Sequence, residues 1–207
     1  MSFGILIYPG VEELDFQGPW EIAGLWRKYA EGPAPVLIAR DLAPVTCAHG
    51  MRVLPDVDLA GVQDLEALLV PGGFAAFDVM KDPDIIDFVR RQSEAGASMM
   101  SVCSGTFVLL AAGVLSGRVA STNWKVVKML RDAGVEVREE RWTKDGPVWT
   151  SAGVSAGIDM MLAYIAQRCG DAVASTVQLH AEYFPDARVY GRARETADVS
   201  AYIRSLP

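Results

Sequence analysis

Residues 98–105 read Ser98-Met99-Met100-Ser101-Val102-Cys103-Ser104-Gly105, and the apolar stretch Phe107 to Ala112 follows directly. A short uncharged run closed by turn residues predicts a strand buried on both faces over 98–102. The residues after it predict a helix over 105–112. Cys103 therefore stands in a tight strand-to-helix turn, the layout of a nucleophile elbow that holds a side chain out of the sheet. A thiol at a helix N-terminus feels the positive end of the helix dipole, which predicts a thiolate.

The same punctuation recurs on both sides. Phe3–Tyr8 ends at Pro9-Gly10, Pro35–Ala39 forms a second apolar run, and Ala67–Val70 ends at Pro71-Gly72-Gly73. Helical patterns lie between them at 18–30 and 82–95, the latter with Pro83 in the first turn, where proline is tolerated. Two extended pieces, 45–48 and 51–54, are split by His49-Gly50 and read as a hairpin at a sheet edge. Further on come helices at 123–133, 156–168 and 171–182, a hairpin over 135–142 and 148–151 turning at Lys144-Asp145-Gly146, and a closing helix at 196–205. Apolar strands alternating with helices mean an α/β sandwich with a mostly parallel central sheet. No internal repeat or linker divides residues 1–207, and at roughly 150 residues per domain a single domain is expected.

Composition narrows the class. The chain is 51% hydrophobic and 22% charged, and 19 basic against 26 acidic residues give a net charge of −7. That surface repels a phosphate backbone, so nucleic acid is not the expected partner. Cys47, Cys103 and Cys169 are odd in number and widely spaced, which fits neither a disulfide framework nor zinc-ligand spacing. No targeting segment or membrane span is evident, so a cytoplasmic protein acting on a small molecule is expected, with no membrane partner, metal or cofactor.

Ligands of open parallel sheets collect at the carboxyl ends of strands. Three motifs fall there: Glu12-Glu13-Leu14-Asp15, Pro71-Gly72-Gly73 and Cys103-Ser104-Gly105. Asp15, read alone, is a helix cap or turn residue in a loop before Gly18-Pro19. Beside Cys103 it becomes a proton carrier. The glycine pair allows backbone N–H groups to approach a reacting atom, as in an oxyanion hole. His49 and His180 fall at no strand end, which favours a Cys–carboxylate enzyme over a Cys–His protease. Cys47 and Cys169 read as structural.

The strings ELDFQGP (13–19), LLVPGG (68–73), SVCSG (101–105), AAGVLSGRVASTNW (111–124) and TSAGVSAGID (150–159) resemble the ThiJ/PfpI superfamily. The resemblance spans roughly residues 3–185 and is nearest to its isocyanide hydratases. It implies the flavodoxin-like three-layer sandwich shared with class I glutamine amidotransferases. It also implies a nucleophile at Cys103, an acidic partner at Asp15, and a hydroxyl at Ser104 where the hydratases usually have threonine. Gly73 would supply an oxyanion-hole N–H beside that of Ser104. Asn123 stands where many relatives have histidine, which speaks against a His-dependent peptidase. A regulator's helix-turn-helix domain is not expected within 207 residues. The implied activity is hydration of an isocyanide through a cysteine thioimidate. The apolar pocket is expected near Trp20, Phe74, Phe77 or Trp124, and the protein is expected to form a homodimer. Two alternatives remain: a cysteine hydrolase of the amidase or deglycase type, and a redox or ligand sensor using Cys103.

Overall fold

The computed structural model describes residues 1–63, 65–186, 191–192, 195–196 and 198–206. Its elements run β1 (Ser2–Leu6), α1 (Glu13–Ala30), β2 (Ala34–Ala39), β3 (Val45–Thr46), β4 (Arg52–Val53), β5 (Val57–Asp58), β6 (Leu65–Val70), α2 (Ala76–Val79), α3 (Pro83–Glu94) and β7 (Ser98–Val102). There follow α4 (Thr106–Ala111), β8 (Val119–Ala120), α5 (Val127–Asp132), β9 (Glu136–Val137), β10 (Trp142–Asp145), β11 (Val148–Ser151), α6 (Ala156–Cys169), α7 (Asp171–His180) and α8 (Ala201–Arg204). The main sheet has seven strands in the order β10-β11-β7-β6-β1-β2-β5. All pairs are parallel except β10 with β11. Helices α1, α6 and α7 pack together on one side, and α2, α3 and α4 on the other. This is the expected α/β sandwich.

The middle strands β1, β6 and β7 are buried almost throughout, because helices cover both their faces. Leu68, Leu69, Met99 and Met100 have no exposed surface. Helix α3 starts as its sequence dictates: Asp82 accepts hydrogen bonds from the N–H groups of Asp84 and Ile85, with Pro83 at the first position.

Four expectations need correction. Helix α1 begins at Glu13, not Gly18, and carries Pro19 within it, so Asp15 lies in the first helical turn and not in a loop. Strands β3 and β4 pair only with each other instead of extending the main sheet's edge. The stretch 135–142 does not run straight into the hairpin, since β9 pairs in parallel with β8 in a separate small sheet. The predicted helix over 123–133 is a 3-10 turn, Trp124–Val126, followed by α5. Of the closing helix expected over 196–205, Ala201–Arg204 is helical and residue 197 lies outside the described residues.

Candidate active site

Three adjacent strands, β1, β6 and β7, each deliver one wall of a site at their carboxyl ends. After β7 the chain enters a 3-10 turn, Cys103–Gly105, and then α4. Cys103 adopts φ +58°, a left-handed conformation uncommon for a residue with a side chain. Its N–H donates to Ala152 O at 3.0 Å. Its carbonyl accepts from the hydroxyls of Thr122 at 2.8 Å and Thr106 at 3.1 Å. The turn also needs Gly105, because a Cβ there would lie 2.1 Å from the Val70 carbonyl oxygen.

After β6, the Pro71-Gly72-Gly73 turn meets both partners of the thiol. The Gly72 N–H donates to Asp15 Oδ2 at 2.8 Å. The Gly73 N–H donates to Ser104 Oγ at 3.0 Å, and that hydroxyl donates back to the Gly73 carbonyl at 2.8 Å. The Gly73 N–H thus meets Ser104 Oγ at the edge of the cavity that Gly73 itself lines. A Cβ on Gly72 would sit 2.6 Å from both the N and Oγ of Ser104 and 3.0 Å from Asp15 Oδ2, so a side chain there would fill the space where the three segments meet.

Asp15 is fully buried, and its Oδ1 has no hydrogen-bond partner among the described residues. Burial pushes its pKa up to about 7 against the lowering effect of the Gly72 N–H; the nearby charge of Glu12 raises it further, and the adjoining Cys103 thiol and Val154 N–H lower it. It is not the helix cap, a position held by Glu12. Burial, and then the charge of Asp15, push the Cys103 thiol up to about 11, although the N–H and hydroxyl of Ser104 and the Gly73 N–H lie near enough to lower it. Burial thus works against the expected resting thiolate. Cys103 is only 8% exposed, and the six-residue α4 offers too short a dipole to offset that desolvation.

A cavity of about 220 Å³ opens above the thiol. Its walls include Phe74, Phe77, Val126 and Val154 beside Cys103 and Ser104, with Glu12, His49, Asn123 and Lys125 toward the polar side. Of the four aromatics expected there, Phe74 and Phe77 take part. Trp20 and Trp124 line other depressions. His49 was read as remote from the site, yet the β3–β4 hairpin brings it to the rim. There its Nδ1 lies 2.8 Å from Glu13 Oε2 and 3.5 Å from Glu12 Oε1, while its N–H donates to Glu13 Oε1 at 2.7 Å. The hydrogen bond to Glu13, and then the charges of Glu12 and Glu13, raise the His49 pKa. These three side chains could each offer a metal one ligand atom, but their mutual hydrogen bonds already account for the arrangement. Cys47 is buried and Cys169 exposed, both outside this cavity. No described helix is long and apolar enough to cross a membrane.

Comparison with known proteins agrees with this architecture. The DJ-1/PfpI family model matches residues 1–167. The chain is 33% identical over 185 residues to an isonitrile hydratase of Pseudomonas putida, covering 89% of this chain and 79% of the relative. It is 30% identical to the HTH-type transcriptional regulator CdhR of Pseudomonas aeruginosa, covering 95% of this chain and 57% of the regulator. Among solved structures, a ThiJ/PfpI family protein from Pseudomonas syringae superposes with a TM-score of 0.87 at 30% identity, covering 98% of this chain and 82% of that one. With its fold, its elbow and most of its length accounted for, the chain belongs to the DJ-1/PfpI family.

Proposed function

We propose that the protein hydrates isocyanides, R–N≡C, to N-substituted formamides. The observation that carries this reading is the buried carboxyl of Asp15 beside the Cys103 thiol, one oxygen held by Gly72 and the other without a hydrogen-bond partner of its own among the described residues. With pKa values near 7 and 11, the two groups hold a single proton between them from about pH 7 to about pH 11. The terminal carbon of an isocyanide needs both a sulfur nucleophile and that proton.

In the first step Cys103 Sγ bonds to the terminal carbon, and Asp15 relays the thiol's own proton onto the same carbon. The product is a thioimidate, R–N=CH–S–Cys103. Asp15, ionised again, takes a proton from water as the water oxygen adds to that carbon and passes it to the nitrogen, giving R–NH–CH(OH)–S–Cys103. Asp15 then carries the hydroxyl proton to the sulfur as the C–S bond breaks, and R–NH–CHO leaves, so the sum is isocyanide plus water. Ser104, tied to Gly73, holds the turn against the elbow and supports the charged intermediate. The terminal carbon of an isocyanide is one atom wide, which suits a thiol recessed below the cavity floor, while Phe74 and Phe77 offer apolar surface to R. A thiol sensor, by contrast, needs an exposed sulfur of low pKa.

The test is to incubate the protein with an alkyl isocyanide and follow formamide by NMR, in parallel with a glycated amine or thiol substrate. Formamide at catalytic turnover supports the hydratase reading. Cleavage of the glycated substrate without formamide overturns it in favour of the hydrolase alternative. The same reading places the protein in the cytoplasm as a homodimer.

A further inference from the structure

Tyr8 is a buried titratable group that the chemistry above does not use, and it ends in the middle of the site. It is 2% exposed and lies two residues past the end of β1. Its hydroxyl proton is shared between the carbonyl oxygens of Pro71, at 2.6 Å, and Gly72, at 3.1 Å. The Gly72 carbonyl also accepts from the Glu12 N–H at 3.1 Å.

A peptide unit is planar, and in the trans form its C=O and N–H point in opposite directions. No peptide bond among the described residues is cis. The hydroxyl that grips the Pro71 carbonyl therefore sets the direction of the Gly72 N–H, which points at Asp15. The same hydroxyl on the Gly72 carbonyl sets the direction of the Gly73 N–H, which points at Ser104 and lies beside Cys103. Gly72, between the two planes, has no Cβ to restrict its torsions, so outside hydrogen bonds from Tyr8 and the Glu12 N–H hold them.

We propose that Tyr8 is a positioning residue that aims two consecutive backbone N–H groups at the acid and at the nucleophile's support. One phenol thereby orients both halves of the Cys103–Asp15 site from the side away from substrate. Donation into a carbonyl also polarises the amide and makes its N–H a stronger donor. The titratable groups facing Asp15 are Tyr8 from the segment after β1, Glu12 from the head of α1 and Cys103 from the elbow, with Glu13 and His49 beyond Glu12. The Asp15 and Cys103 charges in turn hold the Tyr8 phenol, already raised by burial, well above its usual range, so it stays a neutral donor throughout.

The experiment is Tyr8→Phe, with the alkylation of Cys103 by iodoacetamide followed between pH 5 and pH 10 by peptide-resolved mass spectrometry. This readout needs no isocyanide, so it stands or falls apart from the proposed activity, on which only the turnover measurement rests. Without the phenol, the N–H groups that lower the Asp15 and Cys103 pKa values are aimed less well. The Asp15 step near pH 7 should move up by about 0.5–1 pH unit, and alkylation at pH 8, below the thiol's own midpoint, should slow roughly 3- to 10-fold. With an isocyanide, kcat should fall about tenfold or more while KM holds, because the affected groups face the reacting atoms and not R. Tyr164→Phe, whose hydroxyl reaches Glu66 at 3.5 Å at the other end of β6, is the control and should leave the profile in place. A folded Tyr8→Phe protein with an unmoved profile overturns the proposal, since loss of packing alone would not shift it. Should Tyr8→Phe not fold, 3-fluorotyrosine at position 8 keeps the hydroxyl as a stronger donor. It must then move the Asp15 step down and speed alkylation at pH 8, and an unmoved or raised profile refutes the assignment.

Discussion

Replacing Asp15 by asparagine separates the two things this residue does. The side chain keeps its size and can still accept from Gly72, but it can no longer move a proton. In the native protein the carboxyl titrates near 7 in place of its ordinary 3.8. A raised carboxyl pKa means that the folded state binds more protons than the unfolded chain between those values, so stability falls as pH climbs from about 4 to about 7. At 1.36 kcal/mol per pKa unit the cost above pH 7 is on the order of 2–4 kcal/mol, allowing for the desolvated amide that asparagine leaves behind. Asp15→Asn should therefore melt higher than the native protein at pH 8, by roughly 4–16 °C for a chain of this size, and near the native value at pH 4.5. Turnover should fall about a hundredfold or more. Glu12→Gln and Glu13→Gln should be much milder. The assay is melting temperature and formamide production on the same samples at both pH values. A variant that melts lower at pH 8 by a cap's worth, about 1 kcal/mol, yet turns over normally would refute the reasoning.

Cys103→Ala should abolish hydration, whereas Cys47→Ala and Cys169→Ala should leave turnover nearly unchanged; the rates of the three variants settle this directly. The plot of kcat/KM against pH should rise through about 7 and decline toward about 11, because only the singly protonated Cys103–Asp15 pair reacts. A flat profile from pH 5 to 9 would exclude that pair as the reacting unit. Light scattering at micromolar concentration should give twice the 22.4 kDa chain mass, and a monomer would refute the homodimer.

The frame of the fold was legible because the central strands are short, mostly apolar and followed by Pro-Gly or Cys-Ser-Gly, so pattern and punctuation agree. What escaped was set by contacts distant in sequence. Gly18-Pro19 looks like a helix start, yet a Cβ at Gly18 would lie 2.7 Å from Ile158, and Pro19 is buried. Packing against α6 thus carries the helix back to Glu13 and buries Asp15. His49 reaches the rim because backbone bonds from Ala48 to Val11 and from Gly10 to Thr46 fold the hairpin over α1's head. No local signal ties His49 to Glu13, 36 residues away. The thiol's raised pKa was missed for a related reason: the apolar surroundings that make Cys103 look like part of an elbow also desolvate it. Tyr8 reads as the last residue of an apolar run, and nothing in the sequence shows where its hydroxyl ends.

On the proposed activity, the adjacency of β1, β6 and β7 makes turnover a gauge of core packing. Leu69 pairs with Ile5, and Val70 pairs with Ser101, only two residues before Cys103. Each residue of a strand spans about 3.3 Å, so a slip of one position along β6 would break the Tyr8, Asp15 and Ser104 contacts of the following turn together. Displacements of a few tenths of an ångström would already loosen them, well before the sheet lost its cooperativity. Overpacked or hollowed variants at Leu68, Leu69, Met99 or Met100, far from any substrate, should therefore betray themselves first as slow enzymes and only later as unstable ones.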